Sequence, residues 1–275
     1  MRTGRHETFH ALHQSGCFVI PNPWDAGSAR LMAGMGAKAL ATTSAGFAFT
    51  LGCPDMGHVS RDEALAHAEA IVAATPLPVS GDFENGFADD PDGVAETVRL
   101  AADAGLSGCS IEDTDMADGN PAYGFALAVE RIRAASAAAR SLGRPFVLCA
   151  RADGVMNGSY GMEEGIRRLQ AFEEAGAHLL YLPVPPDLGG LRRIMASVSK
   201  PVNALAAGAL GRETVATLAA CGVRRISLGS RIARATHKVI CDAMAEITGG
   251  GDFARMPHVA PGSDIDVLLQ RGAGG

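Results

Sequence analysis

The sequence lacks the features that would place it in several large classes of protein. It has no run of roughly 18 apolar residues, the length that a membrane-spanning helix needs. The stretch 1–10 is polar and basic and has no apolar centre of the signal-peptide kind. Like charges form no block, and a net charge of −6 offers no basic surface for nucleic acid or anionic lipid. We therefore expect a soluble, cytoplasmic protein that binds neither nucleic acid nor membrane.

The cysteines and the known short motifs exclude further classes. None of the six cysteines forms a C-x-x-C pair, and Cys17, Cys109 and Cys149 lie inside apolar runs, which is typical of buried, reduced thiols. The sequence has no phosphate-binding loop, no G-x-S-x-G nucleophile motif and no dinucleotide fingerprint. These absences leave a globular protein whose chemistry must come from other polar residues.

A recurring pattern organises the chain: a helical stretch, a glycine, an apolar residue and then a strand-like run. It occurs at four places, Gly36-Ala37, Gly105-Leu106, Gly176-Ala177 and Gly222-Val223. Glycine fits just past a helix end because it adopts the left-handed conformation without a Cβ penalty. The first three instances are about 70 residues apart, roughly two strand–helix units. The spacing therefore predicts repeated βα units.

Short apolar runs between amphipathic stretches predict eight buried parallel strands. The predicted strands are Cys17–Pro21, Lys38–Thr43, Pro78–Phe83, Gly108–Glu112, Phe146–Arg151, His178–Leu182, Pro201–Leu205 and Arg225–Leu228. The clearest predicted helices are Asp62–Ala74, Pro91–Ala104, Leu127–Leu142, Glu163–Ala175 and Arg212–Cys221. Strict alternation with eight strands favours a closed (β/α)8 TIM barrel over an open sheet. We expect residues 1–275 to form this single domain, with a first helix over 1–14, an eighth barrel helix over 230–247 and a tail after Gly249 that packs on a partner subunit.

Acidic residues stand at the carboxyl ends of the third and fourth strands, where the active site of such a barrel lies. Asp82 and Glu84 are two residues apart, so strand alternation predicts that their side chains converge, and Glu112 follows on the next strand. Three carboxylates so close would repel one another unless a cation lay among them. Hard oxygen ligands fit Mg²⁺ or Mn²⁺. The alternative is that these residues are solvated loop carboxylates or helix caps.

Arg151 and Asn203 end two other strands. Arg151 follows the apolar run FVLCA, and a buried arginine must find an anion. Its planar fork suits a substrate carboxylate, although a structural ion pair with Glu112 or Asp153 would also satisfy it. Asn203 could donate to the same carboxylate.

The second strand leads into a loop that offers both an anion cradle and candidate acids or bases. Small residues with free backbone N–H groups can form an anion-binding nest, although an ordinary turn has the same composition. The candidates for the nest are Thr43, Ser44, Ala45 and Gly46. Cys53, Asp55 and His58 follow in the same loop, and each could serve as an acid or a base.

Together, these strand-end motifs resemble the isocitrate lyase/phosphoenolpyruvate mutase superfamily. The carriers run from about Phe18 to about Arg234 and are PNPWDAGSARL, TTSAG followed by LGCPD, GDFENGFA, SIEDT, CARAD and PVNALA. The resemblance implies a Mg²⁺-dependent enzyme that binds a small 2-oxo or 2-hydroxy carboxylate and cleaves or forms C–C or P–C bonds. It also implies a homodimer or homotetramer in which subunits exchange the eighth helix.

The same resemblance implies roles for individual residues. The metal site would be formed, mostly through waters, by Asp82, Glu84 and Glu112. Asp55 resembles the loop aspartate near the metal, and we assign it a catalytic role together with Arg151. Substrate contacts are implied for Trp24, for the cradle Thr43, Ser44, Ala45 and Gly46, for Arg151 and for Asn203.

The sequence also departs from the known members. The stretch DMADGNPAYGFAL replaces the K-R-C-G-H loop of the tricarboxylate lyases, and the K-K-N-S loop of the phosphonate mutases is missing. We predict a divergent carbon–carbon lyase whose 115–125 loop closes over the site, with Asp55, a metal-bound water or Tyr123 as proton donor. The alternatives are P–C chemistry, of the phosphoenolpyruvate mutase or phosphonopyruvate hydrolase type, and a non-catalytic 2-oxo-acid binder.

Overall fold

A computed structural model describes residues 3–117, 119, 121–253 and 259–274. The strands are β1 (Phe18–Ile20), β2 (Leu40–Ala41), β3 (Val79–Asp82), β4 (Gly108–Glu112), β5 (Val147–Arg151), β6 (Leu179–Tyr181), β7 (Val202–Leu205) and β8 (Arg225–Ser227). The helices are α1 (Thr3–Leu12), α2 (Ala26–Gly34), α3 (Ser44–Thr50), α4 (Arg61–Ala74), α5 (Pro91–Asp103), α6 (Phe125–Ser141), α7 (Gly154–Asn157), α8 (Met162–Glu174), α9 (Leu188–Ser197), α10 (Val215–Ala220), α11 (Arg231–Gly250) and α12 (Gly262–Gly272), with a 3₁₀ helix at Gly208–Arg212.

The strands form one parallel sheet in the order β1-β8-β7-β6-β5-β4-β3-β2. The two ends of this sheet meet where the N–H of Ala41 donates to the carbonyl of Pro21 at 3.1 Å. The fold is thus the predicted (β/α)8 barrel, and all eight predicted strands are present. In the register of β4, β5 and β6, Glu112 lies opposite Arg151 and Arg151 opposite Tyr181.

Helix α1 covers the end of the barrel at which the strands begin. Its residue Phe9 is fully buried in an apolar cluster inside the barrel, with Phe18 and Leu179 among its neighbours. Its residue His6 makes a 2.9 Å hydrogen bond to the hydroxyl of Ser107, directly before β4. Because this end is closed, the opposite end, where the strands finish, is left for a site.

The predicted helix Arg212–Cys221 was too long. Thr214 is the N-cap of α10, since its side chain accepts a hydrogen bond from the N–H of Thr217. A threonine in this role starts a new helix, so the preceding residues form a separate 3₁₀ turn.

Helix α12, in the C-terminal tail, packs on α2 of the same chain. A Cβ atom on Gly34 would collide with the backbone of Leu268, and one on Gly272 would collide with the backbone of Arg30. Two glycines therefore allow the helices to touch backbone to backbone. Helix α11 is packed less closely on the chain than α12 is. Ala233 is its buried residue, and most of its other residues are exposed. Among the described residues, no helix combines the length and the apolar character needed to cross a membrane.

Candidate active site

A cavity of about 150 Å³ lies at the carboxyl ends of the strands. Six of the residues selected from the sequence line it, namely Thr43, Ser44, Ala45, Asp55, Asp82 and Arg151. They come from the loops after β2 and from the ends of β3 and β5. Barrel closure thus brings these positions together, as the strand-end argument predicted.

Asp82, the last residue of β3, is held from several directions. Its Oδ2 accepts hydrogen bonds from the N–H and the hydroxyl of Ser44, at 3.0 and 3.1 Å. Its Oδ1 accepts from the hydroxyl of Ser110 at 3.0 Å and from Nη1 of Arg151 at 2.8 Å. Its own N–H donates to the hydroxyl of Thr42 at 2.7 Å. The carboxylate is therefore fixed at the cavity wall.

The predicted cradle is the first turn of α3. Thr43 is the N-cap, and its hydroxyl accepts a hydrogen bond from the N–H of Gly46 at 3.3 Å. Ser44 already donates to Asp82. Ala45 lines the cavity, whereas Gly46 does not. Fewer residues of this turn are therefore available to an anion in the cavity than the sequence predicted.

Arg151 lies among carboxylates. Its Nη2 is 3.0 Å from Glu112, and its Nε donates to Asp153 at 3.1 Å, in addition to the bond to Asp82. Burial alone would lower the pKa of Arg151, but Asp153, Glu112 and Asp82 outweigh it and raise that pKa. The ion pairs with Glu112 and Asp153 that the sequence left open are thus both present. The guanidinium supplies one of the positive charges that the acidic cluster requires.

Glu84 does not line this cavity, but it lies near Asp82: both residues line a smaller pocket beside the cavity, and, after burial, the charge of Asp82 contributes to raising the pKa of Glu84. The strand ends at Asp82, and Glu84 has a left-handed backbone with φ 43°. Its carboxylate accepts a hydrogen bond from the N–H of Gly57 at 3.2 Å and lines an open cleft of about 600 Å³ beside the cavity. Burial raises the pKa of Glu84 to about 7.

Several further residues predicted from the sequence lie outside the cavity lining, among them the predicted metal ligand Glu112. Asn203 is 1% exposed, and its amide donates to the hydroxyl of Ser227 at 2.9 Å. The carbonyl of Trp24 is 2.9 Å from Nε2 of His67. The hydroxyl of Tyr123 donates to Asp89 at 2.5 Å. Asp118 and Asn120, in the loop predicted to close over the site, lie outside the described residues.

The polar residues that line the cavity and that sequence reasoning missed include Ser80, Ser110, Arg225 and Ser227. Inward alternation could have identified two of the serines, since Ser80 precedes Asp82 by two positions and Ser110 precedes Glu112 by two. Arg225 gave no such signal, because it stands at the beginning of β8, the end of the barrel usually associated with stability.

Asp113 organises the segment that follows β5. It accepts hydrogen bonds from the N–H of Asp153 at 2.8 Å, from the hydroxyl of Tyr160 at 2.6 Å and from Arg168 at 2.9 Å. These bonds fix Asp153, which in turn binds Arg151. Asp113 does not line the cavity itself, but through Asp153 it helps to hold Arg151 in position.

The acidic residues fit a hydrated cation better than a directly ligated one. Within the described part of the chain, no three acidic, histidine or cysteine side chains are grouped closely enough to hold a metal ion by themselves. Oδ1 of Asp55 and Oε1 of Glu112 are nevertheless buried without a hydrogen-bond partner. Buried carboxylate oxygens need a donor or a cation, and a hydrated Mg²⁺ offers both.

Fold and site define an enzyme of the (β/α)8-barrel class with a small, charged pocket at the strand ends. More particularly, the chain belongs to the phosphoenolpyruvate phosphomutase family, whose model matches residues 9–248. It is therefore a member of the isocitrate lyase/phosphoenolpyruvate mutase superfamily, as its motifs indicated.

Individual relatives agree with this assignment. The crystal structure of a candidate lyase/mutase from Burkholderia cenocepacia J2315 is similar with a TM-score of 0.92 and 45% identity, over 96% of this chain and 95% of that one. An uncharacterized protein of Mycobacterium tuberculosis, Rv1998c, is 32% identical over 269 residues, covering 95% of this chain and 96% of its own. The 2,3-dimethylmalate lyase of Eubacterium barkeri is 31% identical over 183 residues, covering 64% and 62%.

Proposed function

We propose that the enzyme is a Mg²⁺-dependent carbon–carbon lyase that acts on a small 2-oxo or 2-hydroxy di- or tricarboxylate. The observation that carries this proposal is the 150 Å³ cavity with Asp55, Asp82 and Arg151 in its wall. A cavity of this size holds a small molecule, which suits an acid of few carbon atoms. The name of 2,3-dimethylmalate lyase, a related protein that acts on a substituted hydroxy diacid, supports the same substrate class.

The proposed cofactor is Mg²⁺, with Mn²⁺ as a substitute. Asp82, Glu84 and Glu112 would hold it mostly through waters, with Asp55 nearby. When bound, the cation supplies positive charge that polarises the substrate oxygens. The partnerless oxygens of Asp55 and Glu112 support its presence.

The chain's own groups would carry the remaining steps. The first turn of α3 orients a substrate carboxylate, and the positive charge of Arg151 stabilises the negative charge that develops on the reacting oxygen. In a 2-hydroxy acid, the C2 hydroxyl gives its proton to a carboxylate of the site, the C2–C3 bond breaks to leave a carbonyl at C2, the electron pair enters an enolate-like fragment, and C3 then takes up a proton. A 2-oxo acid first adds a water at C2 and then follows the same course. Asp55 is the proposed proton donor because it lines the cavity, and burial followed by the charge of Asp82 raises its pKa. A raised pKa keeps more of a carboxyl group protonated near neutral pH.

P–C chemistry is the less favoured alternative. A departing phosphoryl group would need cationic partners, and the stretch 115–127 contains neither lysine nor arginine. A protein that binds 2-oxo acids without turning them over is the third possibility, and only an activity measurement separates it from the others.

The test is a Mg²⁺-supplemented screen of oxo and hydroxy acids of three to seven carbons, in which pyruvate and oxalate release are followed. Release of either product that EDTA abolishes would support the lyase. Phosphate release from phosphonopyruvate would favour P–C chemistry instead. Binding without any product would favour the non-catalytic binder.

We also propose a homodimer or homotetramer that exchanges α11. This helix leaves Val239, Ile240 and Met244 about half exposed, and a second subunit would cover them. Light scattering on the full-length protein tests this, since a monomer at micromolar concentration would contradict it. A cytoplasmic location is part of the same proposal and is supported by the six free cysteines.

A further inference from the structure

Arg225 is a buried cation inside the barrel that no acidic side chain neutralises. It is 4% exposed, and its Nε donates to Oδ1 of Asn203 at 2.7 Å. Its Nη2 is 3.3 Å from the sulfur of Cys149, and its Nη1 is buried without a hydrogen-bond partner. Among the residues that the structure describes, no carboxylate lies within ion-pair distance of Arg225.

The contrast with Arg151 is informative because both arginines line the same cavity. Arg151 already contacts three carboxylates, those of Asp82, Glu112 and Asp153. A substrate anion at Arg151 would share the guanidinium with these three carboxylates. Arg225 has a free N–H group in a desolvated place, where an unpaired charge is costly. An anion that enters the cavity would therefore be stabilised more by Arg225 than by Arg151.

The position of Arg225 also fits a ligand that extends into the barrel. Arg225 precedes Ser227 by two residues on β8, so its backbone lies about 6–7 Å deeper than the carboxyl end of that strand. Asn203 keeps the guanidinium in place by accepting from Nε, while its own amide donates to Ser227. Arg225 therefore belongs to the floor of the cavity, whereas Ser44 and Asp82 belong to its wall.

We propose that Nη1 of Arg225 binds the second carboxylate of the substrate, so that the cavity floor is an anion subsite specific for short dicarboxylates. This inference rests on the proposed function and narrows its substrate class. One carboxylate lies at the first turn of α3 and the other at Arg225. A monocarboxylate leaves Nη1 unpaired and binds more weakly. Asn203 is a positioning residue that acts through Arg225.

Succinate and butyrate are matched probes, since they have the same four-carbon chain and differ in one carboxylate. Their dissociation constants are measured by calorimetry on the full-length protein with Mg²⁺. We expect the wild-type protein to bind succinate roughly tenfold more tightly than butyrate, or better. In Arg225→Gln this ratio falls to about one, and in Arg225→Lys, which keeps the charge but loses the fork, it takes an intermediate value.

Arg224→Gln is the matched control, because the neighbouring arginine donates to the carbonyl of Gly16 and does not line the cavity. It should retain the wild-type ratio. A purely structural Arg225 would lower the melting temperature of Arg225→Gln and leave the ratio unchanged, and this result would overturn the inference. So would a wild-type protein that binds neither probe or binds both equally. If Arg225→Gln does not fold, the preference of Arg225→Lys for succinate over butyrate is the test. An intermediate preference would support the inference, and an unchanged wild-type preference would overturn it.

The binding measurement separates this inference from the proposed function because it needs no turnover. Discrimination that depends on Arg225 in a protein without lyase activity would refute the lyase and keep the subsite. Lyase activity with a KM for dicarboxylates that Arg225→Lys leaves unchanged would keep the lyase and refute the subsite.

Discussion

Nη1 of Arg151 donates to Oδ1 of Asp82 across 2.8 Å, which joins the end of β5 to the end of β3. The sequence predicted these residues as a substrate clamp and a metal ligand, two separate parts of a site. In the folded chain they form one ion pair. Binding of a substrate anion or of a cation at either residue therefore alters the electrostatic environment of the other.

Asp82→Ala should abolish Mg²⁺-dependent turnover, with a loss of at least about 10²-fold in kcat/KM. The change removes the carboxylate that Ser44, Ser110 and Arg151 hold in place. Product release under Mg²⁺ titration measures the effect. Asp103→Asn, at an exposed position at the end of α5, is the control and should keep full activity. Equal activity of the two variants would remove Asp82 from the site.

Arg151→Met should destabilise the fold by about 3–5 kcal/mol, because it leaves buried carboxylates without their counter-charge. Urea denaturation followed by circular dichroism measures the free energy of unfolding. Arg193→Met breaks the exposed ion pair with Glu163 and should cost no more than about 1 kcal/mol. A loss of similar size in both variants would show that the interactions of Arg151 contribute no more stability than a surface ion pair.

Addition of Mg²⁺ should raise the melting temperature, and EDTA should reverse the rise. At a free concentration of 100 times Kd, a ligand that binds only the folded state stabilises it by about 2.7 kcal/mol. Asp55→Asn should reduce the rise, because it removes a carboxylate in which one buried oxygen, Oδ1, has no hydrogen-bond partner. Differential scanning fluorimetry with K⁺ at matched ionic strength is the control. An Asp55→Asn protein with the full wild-type response would exclude Asp55 from the cation site.

Stability should fall on acidification in part through His13. Burial lowers the pKa of His13 to about 3, whereas an unfolded histidine titrates near about 6.5. Between these values the unfolded state takes up a proton that the folded state refuses, so stability is lost as the pH falls through this window. The slope is at most about 1.4 kcal/mol per pH unit, or roughly 2 kcal/mol between pH 7 and pH 5.

His13→Phe isolates that contribution. It keeps the ring contacts with Phe9 and Phe18 and removes the titrating group. The free energy of unfolding of the variant should change less between pH 7 and pH 5 than that of the wild-type protein. His58→Phe, at an exposed position, should keep the wild-type dependence. Identical pH dependence in His13→Phe and wild type would show that the imidazole is not excluded from protonation.

Gly34→Ala should separate α12 from α2, because the added methyl group would collide with the backbone of Leu268. Overpacking of this kind costs about 1–3 kcal/mol. Hydrogen exchange should then show faster exchange in α12 and little change in the barrel strands. Gly4→Ala is the control, since a Cβ atom there meets nothing within 4 Å. Unchanged protection of α12 in Gly34→Ala would contradict the helix contact.

Local signals in the sequence were sufficient for the architecture. Parallel strands buried on both faces are short apolar runs, and the predicted β4, Gly108–Glu112, has the same bounds in the structure. The same reasoning failed where the backbone leaves a regular conformation. Glu84 departs from the strand through a left-handed φ of 43°, which sequence alternation cannot anticipate. The predicted beginning of the helix Arg212–Cys221 was also wrong, because the extended backbone of Thr214 caps a new helix there.

The sequence by itself determined the eight βα units, their order and the polar residues at the strand ends. The reason is that the spacing of apolar residues and the short apolar runs can be recognised within a stretch of neighbouring residues. The tertiary structure alone decided which charges meet. Arg151 and Asp82 are 69 residues apart and become partners through closure of the barrel. Arg225 shares its cavity only because the strands wrap around a common interior, and α12 lies on α2 because glycines on both helices let their backbones touch.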